Sequence, residues 1–147
     1  MPIPETEILA WVVTTLKAAS ITGINPNTGN SRTVAVYNQV KQDAFVPYIR
    51  VSFTDTLNLE DEPFGYTFVP TAKTINLLVN VFSDYEPEVL TIASQIQTAL
   101  QHAEITTINY HGSTWFKSCD FYVDNTASPD RLLRCAGIRI ETRVEPR

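Results

Sequence analysis

The stretch Ile75-Asn-Leu-Leu-Val-Asn-Val-Phe-Ser-Asp84 decides the fold. Ile75, Leu77, Val79 and Val81 fall on one side of an extended chain, and Asn76, Leu78, Asn80 and Phe82 on the other. This is the alternation of a half-buried strand. Immediately after it, Val89, Ile92, Ala93, Ile96, Ala99 and Leu100 recur at helical spacing. Ser83 or Asp84 is placed to cap that helix, and Glu86 and Glu88 suit the positive end of its dipole. A strand with one apolar face needs a cover, and an amphipathic helix entered at once can fold back to provide it.

The same reading extends outward in both directions. Ile8, Leu9, Val12, Val13 and Leu16 make one stripe of an N-terminal helix, with Pro4, Glu5 and Glu7 in its first turn and Lys17 near its end. Gly23 to Arg32, rich in Gly, Asn and Pro, is expected to be a loop and not a strand. A short strand follows at Thr33–Val40. Pro47 marks the start of another, in which Ile49, Val51 and Phe53 alternate with Tyr48, Arg50 and Ser52. From Glu104 the chain reads as strands with a turn expected at His111-Gly112. The last strand alternates Ala136, Ile138, Ile140, Thr142 and Val144 against Cys135, Gly137, Arg139, Glu141 and Arg143. The expected architecture is α+β: a mostly antiparallel sheet with two helices packed on one face, in a single domain spanning residues 1–147 with flexible ends at about 1–4 and 145–147.

Thr54 to Ala72 stands out. Glu60, Asp61 and Glu62 are adjacent, and Phe64, Tyr66 and Phe68 alternate behind them. The segment reads either as an extended β-hairpin reaching past the core or as a long loop. If it is extended, its three aromatics share a face and call for burial against something, as interface anchors or within the chain's own core.

Composition narrows the function. The 147 residues carry a net charge of −5 with no run of Lys or Arg, so the basic footprint of a nucleic-acid binder is missing. No stretch suggests a signal peptide or a membrane span. Cys119 and Cys135 read as reduced thiols. With His102 and His111 they match no metal-ligand spacing, and the acidic triplet reads as a solvated loop. No phosphate loop, nucleophile elbow or acid–base pair emerges. No enzyme, cofactor or metal is expected.

Val36-Tyr37, Pro47-Tyr48-Ile49 and Val81-Phe82-Ser83-Asp84, taken with the helix Val89–Leu100 and the closing arginine-bearing strand, resemble the tail completion or tail terminator proteins of long-tailed bacteriophages. The resemblance runs from the first helix to Val144, and the sequence departs from it over Thr54–Ala72. It implies a structural virion protein, assembled in the host cytoplasm, that forms a ring, typically of six copies, at the head-proximal end of the tail. Such a ring ends tail tube polymerisation and joins the tail to the head connector. The implied partners are further copies of the chain, the major tail tube protein and the connector or stopper protein. DNA passes through without specific binding, and an acidic lumen, with Glu60, Asp61 and Glu62 as candidates, would suit that. No membrane is involved. Interface candidates are Phe64, Tyr66 and Phe68, and the mixed strand face at Asn76, Leu78 and Asn80, which is either a subunit contact or is covered by the chain's own hairpin. The alternatives are another neck, connector or baseplate subunit, or a soluble binding module outside the virion.

Overall fold

A computed structural model describes residues 4–38, 46–58, 72–124 and 132–147. Two helices, α1 (Pro4–Ala18) and α2 (Glu86–Leu100), lie with eight strands: β1 (Thr22–Ile24), β2 (Ser31–Thr33), β3 (Ala35–Tyr37), β4 (Tyr48–Asn58), β5 (Lys73–Ser83), β6 (Glu104–Thr106), β7 (Tyr110–Asp124) and β8 (Leu133–Pro146). The main sheet has six strands in the order β3-β4-β5-β8-β7-β6, and β1 and β2 form a separate hairpin. Every pairing in the main sheet is antiparallel except β3 with β4. This is the α+β architecture that the sequence pattern predicts.

β5 lies at the centre, between β4 and β8. Its Ile75, Leu77, Val79 and Val81 are sealed under the helices with Ala136, Ile138, Ile140 and Val144 of β8 and Ile49 and Val51 of β4. From above, α1 contributes Ile8, Val12 and Leu16, and α2 contributes Val89, Ile92, Ile96 and Leu100. Each branched side chain removed from water here is worth about 1.5–3 kcal/mol, which explains why alternation was so legible in these strands.

Three local expectations are corrected. The Gly23–Arg32 segment is not simply a loop, because β1 and β2 pair with Thr22 opposite Thr33 and Ile24 opposite Ser31. Its turn is closed by Asn25, whose carbonyl accepts from Gly29 N–H at 2.7 Å, with Gly29 at φ 72° where a side chain would be strained. The turn expected at His111-Gly112 lies instead just before Tyr110. Thr107 N–H donates to Tyr110 O, and Asn109 N–H donates to a Glu7 carboxylate oxygen of α1 at 3.0 Å. Gly112 belongs inside β7, where a Cβ would run into the Arg143 carbonyl of β8, so the glycine marks a close backbone approach and not a bend. Finally, α2 has Tyr85 at its N-cap and no side-chain cap. Ser83 instead accepts from Tyr85 N–H at 3.0 Å and turns its hydroxyl to Glu88.

Among the described residues, the two edges of the sheet are only half covered. β3 opposes Tyr48 to Arg50 of β4, and β6 opposes His111 to Ser113 of β7. Beyond β6, the loop after α2 continues the cover as far as Phe116: His102 N–H bonds Thr114 O, Thr114 N–H bonds Ala103 O, and the Gln101 side chain accepts from Phe116 N–H. The C-terminus is tied into this region, since Arg147 N–H donates to Asn109 O at 2.9 Å.

Candidate interaction surfaces

The face of the sheet turned away from the helices carries the first surface. In the register Arg50↔Asn80↔Gly137, three neighbouring strands place these residues in one row. Asn80 is 2% exposed. Its Oδ1 accepts from the Tyr122 hydroxyl of β7 at 3.1 Å. Its Nδ2, and Nε of Arg50 beside it, are buried and meet no acceptor among the described residues. An unmet buried donor costs about 1–3 kcal/mol, so a row with two of them is unusual in a finished core.

Next to this row Tyr48 stacks on Phe82 with ring centroids 4.8 Å apart, Tyr37 meets Tyr48 edge-on at 6.1 Å, and the Arg50 guanidinium sits over Phe82 at 5.6 Å. Leu133 and Cys135 complete a small second core. Burial pushes the Cys135 thiol up to about 11, with Asp124 adding to the effect. Burial also raises Tyr48 and Tyr122.

Asn76, Leu78 and Asn80 do lie together on this face of β5, Asn80 buried and the other two half-buried. Phe64, Tyr66, Phe68, Glu60, Asp61 and Glu62 lie outside the described residues. Cys119 and Cys135 are both free. Cys119 opposes Ile138 and Cys135 opposes Tyr122, which puts the two thiols on opposite faces. His102 packs edge-on against Trp115, and His111 faces Glu145 at 3.7 Å. Among the described residues no three metal-ligating side chains converge.

A second surface is the exposed apolar strip of β7. Phe121, Tyr122 and Val123 are each about half exposed, and Leu132 joins them across the hairpin. Toward the other edge of the sheet, Phe53 of β4 is 45% exposed. The signal for both was present as aromatic residues at strand spacing, but only the strand order shows that they sit on the two edges.

The third feature is internal, and nothing in the sequence pattern announces it. Glu88, buried in the first turn of α2, accepts from both Nε and a terminal nitrogen of Arg32 on β2, and Ser83 Oγ donates to it at 2.5 Å. Arg32 also lies over the Tyr85 ring. Two turns further along, Gln95 donates to Thr22 O and accepts from Thr22 N–H, so a side-chain amide pairs with β1 as a strand would. The β1–β2 hairpin is thereby held to α2.

These features belong to an α+β fold with two helices on a mostly antiparallel six-stranded sheet. No protein-family model matches the sequence, and no curated protein sequence matches it. Its fold is shared by a solved chain from the virion of a native gene transfer agent particle, with a TM-score of 0.63 at 17% identity over 95% of this chain and 96% of that one.

Proposed function

We propose that this chain is a structural subunit of a phage-like particle, forming a ring of six copies at the head-proximal end of the tail. There it ends tube polymerisation and joins the tail to the head connector, and it performs no catalysis. The observation that carries this reading is the likeness in fold, over nearly the full length of both chains, to a chain from a gene transfer agent virion. The resemblance of Val36-Tyr37, Pro47-Tyr48-Ile49 and Val81–Asp84 to tail terminator proteins points to the tail end within such a particle. The net charge of −5 suits a channel that DNA crosses without adhering. The tube protein and the connector are the implied neighbours, and Phe64, Tyr66 and Phe68 are the sequence's candidates for contacting them.

Electron microscopy of particles carrying a labelled copy of this chain tests the proposal. Label in a six-fold ring between head and tail is the expected result. Label at the baseplate, or at a single non-cyclic position, would overturn it. A second arm removes the chain: tails of uncontrolled length, or full-length tails unjoined to heads, are expected.

A further inference from the structure

We infer that copies of this chain join edge to edge, the uncovered half of β7 in one copy pairing antiparallel with the uncovered half of β4 in the next, so that the main sheet continues across the contact. Only the closing of such contacts into a ring rests on the function proposed above; the contact itself rests on the sheet. Among the described residues, no strand pairs with Ser118 to Val123 on the outer side of β7 or with Ser52 to Asn58 on the outer side of β4. Long unpaired edges with apolar side chains are templates for another strand. Lys117 sits at an irregularity in β7, a common guard on such an edge, but it guards only the start of this one.

Four relations favour a second copy as the occupant. The first is polarity. β4 is antiparallel to β5, β5 to β8 and β8 to β7, so β4 and β7 run in opposite directions. Setting β7 of one copy beside β4 of the next therefore gives an antiparallel pair, with no subunit turned over. The second is available bonding groups. Thr114 sends its N–H and C=O outward, away from β8. The loop after α2 takes up these groups of Thr114 and the N–H of Phe116, but Cys119 and Phe121 oppose alternate residues of β8 in continuation of them, so their backbone groups point outward as well and are the ones open to a neighbour.

The third relation is shape. Ser52, Leu78, Arg139 and Ser118 stand in one row across the sheet. From that row the free part of β7 runs one way along the strand axis and the free part of β4 runs the other way. Two copies offset by about six residues, or roughly 20 Å, bring the two free edges together. At that offset β3 of one copy and β6 of the other fall beyond each other's ends and do not collide. The fourth is side-chain placement. Phe121 opposes Ala136 and Phe53 opposes Leu77, both partners being in the helix-side core, so the two half-exposed rings lie on the same face of the joined sheet. Such a contact uses two different surfaces, and it is the head-to-tail kind that closes into rings.

The test uses two single variants of the purified full chain, Phe53→Cys and Phe121→Cys, both carrying Cys119→Ser to remove the neighbouring thiol. At that offset the two positions are diagonal neighbours about 7–8 Å apart, so with a short bismaleimide the expected result is a cross-linked dimer in the mixture and at least tenfold less in either variant alone. Equal cross-linking in either variant alone would mean a like-to-like contact and would overturn the inference, as would no cross-linking at any protein concentration. A further variant, Phe121→Pro, removes one outward N–H without touching the β8 ladder. It should keep the far-ultraviolet spectrum and lose self-association by tenfold or more, and unchanged association would overturn the inference. A ring in the neck whose subunits touch elsewhere would leave the proposed function standing and remove the edge contact. Cross-linking by a chain absent from the neck would do the reverse.

Discussion

Glu88 of α2 and Arg32 of β2 form a two-point ion pair in which the carboxylate is fully buried and the guanidinium is 24% exposed. The pair is unequal, and its loss should be unequal too. Arg32→Ala strands a buried carboxylate whose remaining partner is Ser83. Glu88→Ala leaves a guanidinium that can turn to water. Breaking a buried pair costs about 3–5 kcal/mol. Glu88→Ala is expected near the bottom of that range and Arg32→Ala near the top. Urea unfolding of the two variants checks this, and equal losses would show that burial does not set the cost.

Gly112 and Gly137 make a matched pair of predictions. A Cβ at Gly112 would strike the Arg143 carbonyl and come within 2.9 Å of Val144 Cα, both of which are backbone atoms. Gly112→Ala must therefore push β7 away from β8 and should cost about 3 kcal/mol or more. A Cβ at Gly137 would sit 3.5 Å from Asn80 Oδ1 and 3.6 Å from Tyr122, ordinary contact distances. Gly137→Ala should change stability by about 1 kcal/mol or less, as compared by thermal melts.

How far the sequence could carry the fold follows from where its signals come from. Alternation is loud wherever one face is sealed, so β5, β8 and α2 were legible from Ile75–Val81, Ala136–Val144 and Val89–Leu100. β1 has one buried residue in three, Gly23, and β2 has none, so neither shows a period. A glycine inside β7 looks like a turn unless its neighbour's backbone is known to lie against it. The Arg32–Glu88 pair spans 56 positions, and no local pattern encodes it. Of the candidate contact residues, Asn76, Leu78 and Asn80 were visible as the mixed side of a strand. The free edges depend on β5 lying beside β8 and on β6 being short, which only the assembled sheet reveals.

Acid should release the turn before β7. Glu7 accepts from Asn109 N–H and Nδ2, and hydrogen bonding by the Thr107 side chain, then by Asn109, holds its carboxyl below the usual value despite some desolvation. A depressed folded-state pKa gives stability that is present above the unfolded value near 4.5 and is lost as pH falls through the folded one. Glu7→Gln should therefore melt below the parent chain at pH 7, and the gap should narrow as pH falls below the usual carboxylate value and close once Glu7 is protonated in the folded chain. A gap that persists unchanged at low pH would refute the charge-based account.

The thiols should be slow. Burial raises both Cys119 and Cys135, the latter to about 11. At pH 8 little thiolate is present at either, and the thiolate is the reactive form. Ellman's reagent should label the folded chain many times more slowly than the urea-unfolded chain, with two thiols reacting per unfolded chain. Fast labelling of one thiol in the folded state, assigned by a Cys119→Ser variant, would contradict the burial argument.

Asn80 separates folding from assembly. Among the described residues it receives one hydrogen bond, from the hydroxyl of Tyr122, which is 41% exposed, and it leaves Nδ2 unmet beside an unmet Arg50 Nε. The bond received is worth about 1 kcal/mol, and Tyr122 can recover most of it from water. The unmet amide costs a similar amount. Replacing Asn80 by Val removes both, keeps a residue suited to a strand, and fills the site with apolar atoms beside Leu78. The melting temperature of the isolated chain should then hold or rise by a few degrees, which is not the usual result of changing a 2% exposed residue. If the two idle donors instead await an acceptor from a neighbouring subunit, the same variant should assemble poorly while folding well. Comparing its melting curve with its ability to complete tails in vitro checks both halves. A drop of ten degrees in melting temperature would make Asn80 part of the fold, and full tail completion by a stable variant would remove it from the contact.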